Sequence, residues 1–161
     1  GSNKINFLCG RIAIRKAIIG AVKGREGDIG PILKNENGAP ILPENVVGSI
    51  SHKDSLAVAL VKENAQKKLS IGLDIEYADP TRLRKDISRR ILSKDEMIQM
   101  KKNNQNSQFS FNEEILLRFS YKESLFKALN PMLNRHIQFS EIEVEPYLSE
   151  HSNDKGSARI N

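Results

Sequence analysis

The sequence is poor in cysteine, contains no tryptophan and has no long apolar run. Its single cysteine, Cys9, excludes an intramolecular disulfide and a cysteine-rich zinc site, so we expect a reducing, cytoplasmic environment. No apolar run approaches the roughly 20 residues that a membrane-spanning helix needs, and no signal peptide is visible. We therefore expect no membrane association.

The composition predicts a folded domain with a basic surface. The 161 residues are 39% hydrophobic and 28% charged, which is typical of a globular protein with a hydrophobic core and excludes a disordered tail. The formal net charge is +5. This excess favours an anionic partner, either nucleic acid, a phosphorylated cofactor or an acidic protein, although the lysines can also serve only to solvate the surface.

Periodicity predicts helices and strands in an order that repeats. Apolar residues at helical spacing alternate with strand-like segments bounded by turn residues, and a capping box starts at Ser93. The order predicts an α+β fold of two pseudo-symmetric halves, residues 1–66 and 67–161, each with a helix packed on a small antiparallel sheet. The predicted helices are 8–22, 81–92, 93–100 and 112–129, the last capped by Asn112; the predicted strands are 46–51, 56–61, 70–77 and 137–144; a hairpin is predicted at 31–42 and a fraying tail at 150–161.

Acidic residues occur in two separated motifs. Residues 72–76 (GLDIE) place Asp74 and Glu76 on one face of a predicted strand, because strand side chains repeat every second residue. Glu123 and Lys127 lie one turn apart on a predicted helix. Carboxylates of this kind hold Mg²⁺ over phosphates. The alternatives are solvated acids at a strand end and an ordinary surface ion pair.

Two further motifs carry groups that suit a phosphate. Residues 48–52 (GSISH) form a small, hydroxylated segment that ends in His52, and such a segment can present donors to an anion. Arg11 offers a planar fork that matches phosphate. A histidine with a purely structural role and a solvated arginine are the alternatives at these positions.

Taken in order, four segments resemble the signature of the 4′-phosphopantetheinyl transferases, of the type associated with surfactin and enterobactin synthetases. The segments are residues 10–13 (GRIA), 47–52 (VGSISH), 71–76 (IGLDIE) and 119–128 (FSYKESLFKA), and the resemblance extends over about residues 8 to 144. It implies the family's α+β fold and a holo-acyl-carrier-protein synthase type of enzyme. Such an enzyme transfers the 4′-phosphopantetheine arm of coenzyme A to a serine of an acyl or peptidyl carrier protein and releases 3′,5′-ADP.

The resemblance also implies roles for the acidic residues and for one lysine. By match to the motifs, Asp74, Glu76 and Glu123 are the predicted ligands of Mg²⁺ on the pyrophosphate of coenzyme A. Glu123 and Lys127 are the predicted catalytic residues. Glu123, or a metal-bound water as the alternative, takes the serine proton, and Lys127 assists the departing 3′,5′-ADP.

The remaining matched residues are predicted to bind the coenzyme. Arg11 corresponds to an arginine placed for the 3′-phosphate of the adenosine, His52 is expected near the phosphates, and Ser51, Lys122 and Lys127 are expected to contact the coenzyme.

Relatives of this type are usually longer than 161 residues, so we expect that the segment preceding Arg11 in them is largely absent here.

Two other functions compete with this prediction. A Mg²⁺-dependent nuclease would use the same carboxylates and the basic charge, but it leaves residues 10–13 and 48–52 unexplained. A non-catalytic domain that binds carrier proteins would need no intact motifs, yet every motif residue is present. We therefore expect a cytoplasmic enzyme of fatty acid, polyketide or nonribosomal peptide synthesis, a monomer or weak oligomer that binds no nucleic acid.

Overall fold

The chain has an α+β fold, with helices and small antiparallel sheets in two compact units. The first unit comprises Gly1–Ile75 and Ser124–Leu133, and the second comprises Glu76–Glu123 and Asn134–Asn161. The predicted division at residue 66 and the predicted pseudo-symmetry of the halves stay predictions. The computed structural model describes residues 2–22, 29–63, 69–79, 81, 87–103, 109–133, 137–145 and 157–160.

A long helix and a two-stranded sheet form the first unit. Helix α1 (Ser2–Val22) packs on strands β1 (Val46–Lys53) and β2 (Leu56–Glu63), which are antiparallel. Ile14 and Ile18, one turn apart on α1, are 0% and 2% exposed and lie at the centre of the core. The helix predicted at 8–22 and the strands predicted at 46–51 and 56–61 are confirmed. Helix α1 begins earlier than predicted.

The predicted hairpin at 31–42 is reduced to a single bridge. Lys34 pairs with Pro40, and Gly38 adopts a φ of 82°, which a glycine tolerates without a steric cost. Proline has no N–H to donate to a ladder, so a longer pairing is disfavoured here. The separate turn between β1 and β2 contains Asp54, whose φ is 47°.

The second unit combines short helices with a second small sheet. Ile91, Leu92, Met100 and Ile115 form its buried core. The elements are α2 (Ile87–Ile91), α3 (Lys94–Asn103), α4 (Phe111–Leu129), a 3₁₀ turn (Phe139–Glu141) and the antiparallel strands β3 (Ile142–Glu145) and β4 (Ser157–Ile160). The last residues of α4 belong to the first unit. Strand β4 corrects the prediction of a fraying tail, since these residues pair with β3.

Side chains cap the starts of α3 and α4. At α3 the predicted capping box is confirmed: the N–H of Ser93 donates to Oε2 of Glu96 at 2.8 Å, and the N–H of Glu96 donates to Ser93 Oγ at 3.1 Å. At α4 the predicted cap, Asn112, is wrong. Ser110 and Glu113 form the box instead, with the N–H of Ser110 2.8 Å from Glu113 Oε2. Both pairs satisfy amide groups that the first helical turn leaves free.

None of the helices among the described residues is both long and apolar enough to span a membrane.

Candidate active site

The segment that carries Asp74 runs beside β1 without joining its sheet, so the strand predicted at 70–77 is wrong. The N–H of Leu73 donates to Ser49 Oγ at 3.1 Å, and the N–H of Ile75 donates to Ser51 Oγ at 3.3 Å. Two alternate amides that a strand would pair with backbone carbonyls therefore bind serine hydroxyls. The side chains of β1 anchor this segment in place of a backbone ladder.

Gly72 allows the same segment to lie directly against the backbone of α4. A Cβ atom at this position would stand 1.6 Å from the carbonyl oxygen of Ser124 and 2.9 Å from the amide nitrogen of Ala128. Only a residue without a side chain permits this approach. The glycine of the GLDIE motif thus brings the residues that follow it against the end of α4.

Asp74 and Lys127 form an ion pair at this contact. Lys127 Nζ lies 2.7 Å from Asp74 Oδ1. The side chain of Lys127 is 28% exposed, and that of Asp74 is 6% exposed. Lys127 also donates to Ser51 Oγ at 3.2 Å and to the carbonyl of Leu73 at 3.1 Å. Ser51 in turn donates its hydroxyl proton to the same Oδ1 at 3.0 Å. One carboxylate oxygen is therefore held by a lysine and a serine together.

The other oxygen of Asp74 has a different environment. Oδ2 is buried, and no described residue gives it a hydrogen bond. A buried carboxylate oxygen without a partner is costly, so it normally marks a site for a ligand, a water or an ion. A divalent cation with a preference for carboxylate oxygens fits this position. On this observation Asp74 suits the metal ligation that the sequence predicts.

Glu76 and Glu123 are half-buried and belong to the second unit, whereas Asp74 belongs to the first. Among the residues that the structure describes, no group of three His, Cys, Asp or Glu side chains is arranged to hold a metal ion. The three-carboxylate ligand set therefore stays a prediction from the sequence motifs.

The two remaining coenzyme contacts predicted in the first unit are Arg11 on α1 and His52 on β1. The guanidinium of Arg11 lies over the ring of Phe7, 4.5 Å from its centroid. Its Nε is buried and has no hydrogen-bond partner within the described ranges, and burial lowers the pKa of the group. An unused donor on a cation is suited to an anionic ligand. His52 is exposed, at the position paired with Ala57.

Lys122, also predicted to contact the coenzyme, is held in the core of the second unit. Its side chain is 0% exposed, and Nζ donates to Glu96 Oε2 at 2.5 Å, to the carbonyl of Ile91 at 2.7 Å and to that of Phe139 at 3.0 Å. Burial lowers the pKa of Lys122 and outweighs the opposing effect of Glu96. Three acceptors use all three ammonium protons, so this arrangement leaves none for a coenzyme.

Lys122 and Asp74 are held by partners that the sequence motifs do not indicate. Glu96 was recognised as a capping residue, but it also accepts from the buried Arg118, at 3.2 Å, and from the N–H of Val144, at 3.0 Å. Arg118 further donates to the carbonyl of Val144. Ser49 was missed as an anchor for the Asp74 segment, although two serines at alternate strand positions were a visible signal.

Two family models match this chain. Residues 2–62 match the model of the 4′-phosphopantetheinyl transferase N-terminal domain, and residues 70–154, more than half of the chain, match that of the 4′-phosphopantetheinyl transferase superfamily. The chain belongs to the 4′-phosphopantetheinyl transferase superfamily. These proteins are transferases that move the phosphopantetheine arm, and the resemblance carried by the sequence motifs is confirmed at this level. No curated protein sequence matches the transferase.

Proposed function

We propose that this transferase moves the 4′-phosphopantetheine arm of coenzyme A to a serine hydroxyl of an acyl or peptidyl carrier protein and releases 3′,5′-ADP. The observation that carries the proposal is the divided environment of Asp74. One carboxylate oxygen is held by Lys127 and Ser51, and the other is buried without a hydrogen-bond partner among the described residues. This arrangement suits a carboxylate that binds a cation, as the phosphate chemistry of the family requires.

The proposed ligands of that cation are Asp74, Glu76 and Glu123, and Mg²⁺ is the proposed ion. Asp74 is supported by its orphaned oxygen, and the two glutamates are assigned by their match to the family motifs. When bound, Mg²⁺ would neutralise charge on the pyrophosphate of coenzyme A, which is the main requirement of phosphoryl transfer.

Arg11 and His52 are the proposed contacts to the coenzyme. The buried Nε of Arg11 is an unused donor on a cation, and this supports its assignment to the 3′-phosphate of the adenosine. His52 is exposed and can approach a phosphate. Lys122 is left out of the proposal, because its three ammonium protons have acceptors inside the protein.

In the proposed reaction the serine oxygen of the carrier bonds to the phosphorus nearer the pantetheine, and the bond from that phosphorus to the oxygen of 3′,5′-ADP breaks. The carboxylate of Glu123 accepts the serine proton as general base. Lys127 acts through its charge, since its hydrogen-bond donors are used by Ser51, Leu73 and Asp74. A positive group held beside the carboxylate offsets the negative charge that develops on the leaving group.

The net charge of +5 supports the choice of partners, because coenzyme A is polyanionic and an acidic carrier surface would be attracted to a basic enzyme. We further propose a monomer or weak oligomer of the type associated with surfactin and enterobactin synthetases, acting in the cytoplasm. Neither the nuclease nor the non-catalytic domain explains why residues 2–62 and 70–154 both match transferase models.

The test is mass spectrometry of carrier proteins after incubation with the transferase, coenzyme A and Mg²⁺. Apo carriers from fatty acid, polyketide and nonribosomal peptide systems are used in parallel, and each reaction is repeated with EDTA. We expect at least one carrier to gain a single phosphopantetheine group, and the gain to be lost with EDTA. If no carrier is modified, the proposal is wrong. Mg²⁺-dependent cleavage of plasmid DNA by the same preparation would favour the nuclease.

A further inference from the structure

The hydroxyl of Ser51 has every hydrogen-bonding position occupied within the protein. It donates to Asp74 Oδ1 at 3.0 Å, and it accepts from the N–H of Ile75 at 3.3 Å and from Lys127 Nζ at 3.2 Å. A hydroxyl has one proton to donate and two lone pairs, so these three bonds use its full capacity. Ser51 is also only 4% exposed. This placement differs from the coenzyme contact predicted from the sequence.

The three bonds of Ser51 connect the backbone next to Asp74 with the side chain of Asp74. The N–H of Ile75 fixes the hydroxyl, and the hydroxyl fixes Oδ1 of the preceding residue. Because both oxygens belong to one rigid carboxylate, holding Oδ1 also sets the direction of Oδ2. Oδ2 is the oxygen that has no partner among the described side chains and backbone groups.

We propose that Ser51 is a positioning residue for the metal site: with Lys127 it holds Oδ1 of Asp74 so that Oδ2 is directed to a divalent cation. The inference rests on the proposed function in that it takes Asp74 as a metal ligand. Residues that hydrogen-bond a metal-ligating carboxylate keep it in the binding orientation before the metal arrives. Ser51 thereby acts on the cation through Asp74 and not through contact with the coenzyme.

Ser49 offers a matched control two positions earlier on β1. It is 5% exposed, and its hydroxyl accepts from the N–H of Leu73 at 3.1 Å, as that of Ser51 accepts from Ile75. Within the part of the chain that the structure describes, Ser49 makes no hydrogen bond to Asp74, whereas Ser51 does. Ser49→Ala and Ser51→Ala therefore each remove one buried hydroxyl that anchors the same segment. Of the two, Ser51→Ala is the substitution that removes a hydrogen bond to Asp74.

The experiment measures Mn²⁺ binding by the electron paramagnetic resonance signal of the free ion, with and without coenzyme A, for the wild type and both variants. Mn²⁺ is used as the probe in place of Mg²⁺. We expect Ser51→Ala to weaken Mn²⁺ binding about 10-fold, in the range typical for loss of a group that orients a metal ligand. The Mn²⁺ affinity of Ser49→Ala is expected to stay within about twofold of that of the wild type, because this substitution leaves the hydrogen bonds of Asp74 in place.

Three outcomes would overturn the inference: equal Mn²⁺ affinities for the two variants, a weaker affinity for Ser49→Ala than for Ser51→Ala, or a wild type that binds no Mn²⁺. Ser51→Thr retains the hydroxyl and supplies a second test if Ser51→Ala does not fold. Its Mn²⁺ affinity should match that of the wild type, and a loss in folded protein would contradict the inference. Carrier modification is followed separately. If the carriers stay unmodified but Ser51→Ala weakens Mn²⁺ binding and Ser49→Ala does not, the proposed transfer reaction is rejected. The positioning role of Ser51 is then still supported.

Discussion

Lys127 Nζ lies 2.7 Å from Oδ1 of Asp74, although the two residues are 53 positions apart in the sequence. Their contact joins the GLDIE segment to the end of α4. Two features of the first unit make it possible, namely the close approach at Gly72 and the hydroxyl groups that β1 offers to the backbone of residues 73 and 75. The acidic motif and the lysine motif therefore meet through a direct contact between their own side chains.

Gly72→Ala should disrupt this contact. The added methyl group would stand 1.6 Å from the backbone oxygen of Ser124, which cannot move without displacing α4. We expect the free energy of unfolding to fall by about 3 kcal/mol or more, at the upper end of the range for overpacked sites. Urea denaturation of the purified variant measures this change.

Gly20→Ala is the matched control for that prediction. Gly20 lies within α1, and a Cβ atom there meets nothing within 4 Å. The same substitution should leave stability unchanged or raise it by up to about 1 kcal/mol, because alanine favours the helix over glycine. Equal effects of the two substitutions would show that the approach of Gly72 to α4 is not the cause.

Lys122→Met should destabilise the second unit. The substitution removes the ammonium group that binds Glu96 and the carbonyls of Ile91 and Phe139, and it leaves these buried acceptors with fewer partners. We expect the free energy of unfolding to fall by about 3 kcal/mol, the lower limit for breaking a buried ion pair. The lower limit applies because Glu96 keeps its ion pair with Arg118. Lys102→Met, at an exposed position of α3, should change stability by less than about 0.5 kcal/mol. A coenzyme-binding Lys122 would instead give a stable variant with a raised KM for coenzyme A.

Glu113→Gln tests the cap of α4 through pH. Hydrogen bonds from Ser110 lower the pKa of Glu113 below its ordinary value of 4.5. A depressed pKa in the folded state means that the charged group adds stability above pH 4.5 and that this stability is lost as the pH falls through the folded-state pKa. The variant should therefore melt at a lower temperature than the wild type at pH 7, and the difference should shrink in acid.

Thermal unfolding across pH 3 to pH 7 provides the measurement. Glu36→Gln, in an exposed turn, is the control. Its melting temperature should stay closer to that of the wild type at each pH than the melting temperature of Glu113→Gln does. A difference between Glu113→Gln and the wild type that is constant with pH would contradict the role of the carboxylate charge in the cap.

Periodicity and local turn chemistry were enough to predict much of the fold. Helix α1 and the β1–β2 pair follow from apolar spacing, and the capping box at Ser93 follows from a serine placed three residues before a glutamate. These features depend on residues that are close in the sequence. The position of the α4 cap was missed by two residues, because Ser110 and Asn112 are both good capping residues and local sequence does not separate them.

The parts that could not be predicted depend on distant partners. Alternating apolar residues at 70–77 are typical of a strand, but serine hydroxyls of β1 bind two of the amides that a strand needs. Lys122 lies in a motif with charged neighbours, and nothing local indicates that Glu96, 26 residues earlier, holds it in the core. The predicted roles of Asp74 and Lys127 came from motif order, whereas their direct contact is visible only in the structure.

The most direct test of the proposed function is the initial rate of carrier modification by Asp74→Asn, with Asp54→Asn as the control. Asparagine keeps an acceptor for Lys127 and Ser51 but replaces a carboxylate oxygen with an NH₂ group, which does not bind a cation. Asp54 is an exposed turn residue with a φ of 47°, a conformation that asparagine tolerates. We predict that Asp74→Asn slows transfer by about 100-fold or more, since a catalytic metal contributes several kcal/mol, and that Asp54→Asn transfers at the wild-type rate. Near-native transfer by folded Asp74→Asn would contradict the account.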